Sequence, residues 1–109
     1  MSNALMRQSD DFMRDARSGV QSTRGQWNSC IEGGYLALLS VLAPSERSAP
    51  GHPSDEVVRR ACERLAIDAD ESLLMTRQRF APDVSMSFMQ ALAWAERVRA
   101  SAKQFLEIK

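Results

Sequence analysis

The chain has one histidine, His52, and it falls five positions after Arg47 in Arg47-Ser48-Ala49-Pro50-Gly51-His52. A histidine transfers a proton near neutral pH, and an arginine grips phosphate oxygens through its planar fork. The pair could therefore act on a phosphate. Other arginines offer binding rather than catalysis. Arg77 and Arg79 fall at the end of one expected helix, and Arg97 and Arg99 lie on the next. Gathered together they would form a phosphate site, which Arg59, Arg60 or Arg64 could extend. Taken singly, each would serve a helix C-terminus or a neighbouring carboxylate. A single histidine excludes a His-rich metal site, and Cys30 and Cys62 stand in no Cys-x-x-Cys spacing. We therefore expect no metal and no cofactor. Gly33-Gly34 is not a phosphate loop, because no strand precedes it and the Walker lysine is missing.

Hydrophobic spacing predicts the elements that position these residues. A first helix is expected from about Ser9, which can cap, with Asp10 and Asp11 at the favourable end of the dipole. Its stripe is Phe12, Ala16 and Val20, with Met13 beside it. A break is expected near Gly25. Residues 26–42 form the central helix, with Trp27, Cys30, Ile31, Tyr35, Leu38, Leu39 and Leu42 covering a broad face. Each glycine of Gly33-Gly34 costs about 1 kcal/mol against alanine in mid-helix. Close approach of another helix backbone would compensate. Pro44 ends the helix, and residues 44–53 form a loop. Ser54 caps a third helix carrying Val57, Val58, Ala61, Cys62 and Leu65. Asp55–Arg59 and Glu56–Arg60 are i, i+4 pairs in the favourable order, as Asp10–Arg14 is on the first helix. Asp68 caps a fourth helix on Leu73 and Leu74, with Glu71 placed to complete a capping box; the helix runs to about Phe80 and stops at Pro82. Asp83 or Ser85 opens a last long helix with Phe88, Leu92, Ala95, Val98, Ala102 and Phe105.

This pattern predicts an all-α, antiparallel up-and-down bundle of four or five helices. Residues 9–109 would be one domain, with residues 1–8 a disordered or tag-derived leader. Ser2-Asn3-Ala4 is of the kind that cloning leaves behind. The 109 residues suit a single core. Acidic and basic residues balance at 14 each, so no global field draws the protein to nucleic acid or an acidic membrane. The first residues are too polar to open a signal peptide, and no apolar run approaches the ~20 residues of a membrane span. Two cysteines on apolar stripes read as buried thiols in a reducing compartment, so a cytoplasmic location is expected. Trp27, Tyr35 and Trp94 are either core residues or, if exposed, anchors of a partner surface. Bundles of this size often associate, so a homodimer is expected.

The order of features resembles the HEPN domain, the higher-eukaryote and prokaryote nucleotide-binding fold. The matching pieces are Tyr35 with the apolar run through Leu42, then Gly51-His52 before Val57-Val58. Arg79-Phe80-Ala81-Pro82-Asp83-Val84-Ser85 and the Ala-rich helix over residues 91–102 follow. The resemblance spans about residues 10–106 and is carried by order and spacing. It implies two functions. Some members are metal-independent ribonucleases that cleave RNA across a dimer with an Arg-x(4–6)-His motif, which Arg47 and His52 formally satisfy. Other members bind nucleotides or partner a separate nucleotidyltransferase. Here Ser48 follows the arginine where ribonuclease members place Asn, Asp or His, and Pro50-Gly51 makes the spacer a loop. The expected function is thus a non-catalytic binding or interaction module, with nucleotides or a nucleotidyltransferase-type partner. The alternatives are the ribonuclease on Arg47 and His52, with RNA as substrate, and a helical adaptor unrelated to nucleotides.

Overall fold

Helix α2 (Thr23–Ser40) is the element on which the others pack. It lies chiefly against α1 (Ala4–Arg17) and α5 (Phe88–Ile108), and it also touches α3 (Asp55–Leu65) and α4 (Ala69–Arg77). The computed structural model describes residues 4–18, 23–46, 55–78 and 87–108. Among these the protein is all-helical, with five α-helices, one short 3-10 turn (Pro44–Glu46) and no strand. No described helix is long and apolar enough to cross a membrane.

The central position of α2 follows from its sequence. Trp27, Cys30, Ile31, Gly33, Gly34, Tyr35, Ala37 and Leu38 are all buried, so apolar or small residues occupy most of its circumference. A helix of that kind must be covered on several sides. Its two mid-helix glycines have separate reasons. A Cβ on Gly34 would fall 2.3 Å from the ring of Trp94 on α5. A Cβ on Gly33 would fall 2.9 Å from the sulfur of Met13 on α1, and 3.5 Å from the Ser9 carbonyl. Side chains thus claim most of the space that a backbone was expected to fill.

Helix α1 begins earlier than its sequence suggested. Residues 4–8, set aside there as a leader, belong to the helix, and Met6 is buried. Its buried stripe is Met6, Ser9, Met13 and Ala16, spaced three, four and three residues apart. Ser9 is no cap: its hydroxyl donates to the Gly33 carbonyl at 2.7 Å, deep between α1 and α2. In sequence, a buried polar residue inside an apolar stripe looks like a helix boundary. Gly25 lies inside the first turn of α2 rather than at a break.

The ends of the later helices are held by specific groups. Asp68 caps α4, accepting from the Asp70 amide at 3.0 Å. Ser87 caps α5 through a reciprocal box: its Oγ accepts from the Gln90 amide at 3.1 Å, and Gln90 Oε1 accepts from the Ser87 amide at 2.8 Å. The expected caps Ser54, Asp83 and Ser85, and the stop at Phe80 and Pro82, lie outside the described residues. Helix α3 ends in a Schellman motif, with Ile67 N donating to Cys62 O at 3.0 Å and Ala66 N to Glu63 O at 3.2 Å. Ala66 carries the left-handed φ of 57° that this motif requires. Beyond α2, Glu46 receives both nitrogens of the Arg64 fork at 2.7 and 2.6 Å, and Arg64 Nη1 also donates to Val41 O at 3.2 Å. That clamp ties the end of α2 to α3.

The three aromatics weighed as interface anchors are core residues. Trp27, Tyr35 and Trp94 are 8%, 7% and 1% exposed, so their rings offer no surface to a partner. Trp94 Nε1 donates to Ser72 Oγ at 2.9 Å, fixing the ring and docking α4 on α5. Cys30 and Cys62 are buried free thiols. Burial pushes the Cys30 thiol up to about 11 and raises that of Cys62.

Candidate functional site

The α1 and α5 sequences place two charged stripes opposite each other. On α1, Asp10, Arg14 and Arg17 recur at i, i+4 and i+7. On α5, Glu96, Arg99 and Lys103 recur at i, i+3 and i+7. Residues at those spacings share a helix face. Arg99 pairs with Asp10 across 89 positions of sequence, and Arg17 Nη2 donates to Glu96 Oε1 at 3.0 Å. Between the stripes lies an open concavity of about 650 Å³, lined by Asp10, Arg14, Arg17, Ser18, Arg99 and Lys103. Four of those six side chains are cationic and one is anionic. Asp11, 3.4 Å from Arg14, and Glu96 hold two of the cations from the side.

Arg99 differs from the other three cations. Its side chain is only 9% exposed, whereas those of Arg14 and Arg17 are 76% and 51% exposed. Its position on α5 explains this, since Val98 and Ala102 beside it belong to the core. Burial lowers its pKa from the ordinary arginine value, though a guanidinium stays charged in any folded protein. Asp10 engages Nη2, while Nε is buried and has no hydrogen-bond partner among the described residues. An unsatisfied N–H on a charged group is costly, about 1–3 kcal/mol or more.

The other described arginines considered for a phosphate site do not line this concavity. Arg97 lies two positions from Arg99, about 200° around the helix, and donates to Glu71 at 2.5 Å on α4. Arg77 donates to Asp55 at 2.7 Å. Arg79 lies outside the described residues. The structure therefore does not gather Arg77, Arg97 and Arg99 into one place. Of that set, Arg99 alone lines the basic concavity. A second hollow of about 450 Å³ contains Arg97, but Asp68 and Glu71 also line it, which makes it a poor seat for an anion. Arg60 is held by Glu56 at 3.0 Å and Arg64 by Glu46. Asp55, expected to pair with Arg59, bonds instead to Arg77, whose guanidinium lowers its carboxyl pKa. Arg47 and His52 lie outside the described residues. Among the described residues no cluster of His, Cys, Asp and Glu could hold a metal ion.

Sequence reading singled out Arg99 but missed Asp10, Arg14, Arg17 and Lys103 as its companions. The available signal was the i, i+4, i+7 recurrence of charge on two helices. What it lacked was the knowledge that α1 and α5 share a groove.

The chain matches no protein-family model, no curated protein and no solved structure.

Proposed function

We propose that the protein is a small, non-catalytic helical binding module for a phosphate-bearing ligand, held in the basic concavity between α1 and α5. The observation that carries this reading is the grouping of Arg14, Arg17, Arg99 and Lys103 around one hollow on a chain whose charges balance overall. Its volume falls within the ~300–1,000 Å³ of small-ligand sites. Clustered arginines in a concave site are what a nucleotide binder needs, and the HEPN resemblance supports a nucleotide as the ligand. The same resemblance supports a nucleotidyltransferase-type partner, and the small size of the bundle supports a homodimer.

Calorimetric titration with ATP tests the reading. Binding is expected in the wild type, and the double variant Arg14→Ala/Lys103→Ala should weaken it about tenfold or more, because two charged contacts are lost. Absence of binding, or binding indifferent to that change, rejects the site. RNA incubated with the protein in EDTA should stay intact. Cleavage that disappears in both Arg47→Ala and His52→Ala would replace this reading with the ribonuclease.

A further inference from the structure

The guanidinium of Arg99 is used on one side only. Asp10 takes Nη2 and leaves the buried Nε–H without an acceptor among the described residues. Nε–H and an Nη–H form one edge of the fork, and that edge matches two oxygens of a single oxyanion. We infer that Arg99 is the anchor of the α1–α5 site: a terminal phosphate displaces Asp10 and binds that edge side-on. This inference rests on the concavity being an anion site.

Three features favour a terminal phosphate over the internal diesters of a nucleic acid. The first is depth. The Arg99 side chain is nine-tenths buried, while Arg14 and Arg17 stand exposed near it. A terminal phosphate projects from its molecule and can reach a deep donor; a backbone diester is flanked by a sugar on each side. The second is charge. A phosphomonoester carries about −1.5 to −2 at neutral pH, against the −1 of each diester unit, and so matches a hollow with four cations and one carboxylate. The third is distribution. A long polyanion is bound by cations spread along its track, whereas Arg14, Arg17, Arg99 and Lys103 gather at one hollow. The cations of the concavity form a patch rather than a track.

Asp10 then has a defined part. It is half-exposed and reaches Arg99 from α1, so it can swing toward solvent when displaced. In the free protein it shields a buried charge; in the complex it is the resident competitor. The ligand supplies what Asp10 does not, an acceptor for Nε–H.

The test is a ¹⁵N NMR titration of the whole protein with methyl phosphate, following the Arg99 Nε–H resonance and the backbone amides. The Nε–H signal should move downfield as a new hydrogen bond forms. Arg99→Lys keeps the charge but loses the edge, and should bind about tenfold more weakly. Asp10→Asn should bind about threefold more tightly or better, because the charged group that competes with the phosphate for Arg99 is removed. A dinucleotide with a 5′-phosphate should bind, and the same dinucleotide without it should not. If methyl phosphate perturbs no residue of α1 or α5, the anion site itself is rejected. If the amides of Arg14, Arg17 and Lys103 respond while the Nε–H signal is still and Arg99→Lys binds equally, the anion site stands and the anchor is overturned. Equal binding of both dinucleotides overturns the preference for a terminal phosphate. Should Arg99→Lys fail to fold, the wild-type Nε–H signal decides.

Discussion

Helix α2 meets α1 and α5 through adjacent glycines, and the two contacts are of different kinds. At Gly33 the neighbour is the thioether of Met13, with the Ser9 hydroxyl hydrogen-bonded to the glycine carbonyl. Methionine has three soft torsions and fills space adaptably. At Gly34 the neighbour is the ring of Trp94, which is 1% exposed and fixed by its hydrogen bond to Ser72. A ring so held has nowhere to go. One face of α2 is therefore compliant and the other rigid. The basic concavity spans α1 and α5, so it joins a helix seated on the compliant face to one locked on the rigid face. That arrangement suits a site in which Asp10 must leave Arg99 and α1 must tolerate the change.

Substitution at the two glycines tests this contrast, and the largest effect is expected at Gly34. Alanine there gains about 1 kcal/mol of helix propensity, but its Cβ lands 2.3 Å from a ring carbon that cannot move. Overpacking typically costs about 1–3 kcal/mol and can cost more. Gly34→Ala should thus destabilise by about 2 kcal/mol in urea unfolding. Trp94→Ala alone should cost about 3–5 kcal/mol. The double variant should cost clearly less than the sum, since the two residues contend for one space. Additive losses would show that the ring is not the obstacle.

Gly33→Ala is the sharper half of the comparison. The clash is with the far end of a flexible side chain, and the helix-propensity gain is the same. The change should leave stability within about 1 kcal/mol of the wild type. A loss equal to that of Gly34→Ala would abolish the distinction between the two faces.

The glycine pair also shows how much of the molecule was legible. The all-helical class, the central place of α2 and the burial of both cysteines follow from residue spacing alone. So does the need for something to crowd Gly33-Gly34, though not that a ring and a thioether would do it. Charge was far less legible. Glu56 pairs with Arg60 one turn away as spacing predicts, but Asp10 pairs with Arg99, Asp55 with Arg77 and Glu71 with Arg97, each on another helix. Local spacing gives every charge an i, i+4 option worth only about 0.2–0.5 kcal/mol, and tertiary neighbours readily outbid it. The candidate site is made of such tertiary choices. That is why one of its arginines was picked out and its α1 side was not.

A smaller effect is expected at Ala66, where the end of α3 uses a left-handed φ of 57°. The Cβ is penalised there, and glycine is the usual occupant of this position. Part of the gain from glycine is lost to the greater freedom of the unfolded chain. Ala66→Gly should stabilise by about 0.5–1 kcal/mol. Lower stability would mean that the Schellman motif is not the conformation in solution.

The smallest effect separates exposed charge from the packed faces of α2. The Arg64 fork and the Ala43 amide, 2.9 Å away, hold the Glu46 carboxyl down to about 2. A carboxylate whose pKa is lower in the folded than in the unfolded state contributes stability that is present above the unfolded value, near ~4.3. That contribution is lost as pH falls through the folded value. The urea midpoint should therefore drop on acidification from about pH 4.5 toward 2. Glu46→Gln should flatten part of that drop while lowering the midpoint at pH 7. Asp55, also lowered by its arginine, accounts for some of the remaining slope. Added salt should shrink the Glu46 effect, because exposed pairs are screened. The penalty of Gly34→Ala should change with neither pH nor salt, because a steric overlap with a buried ring involves no charge. A Gly34→Ala penalty that followed the acid titration would show that the α2–α5 contact depends on the surface pairs around it.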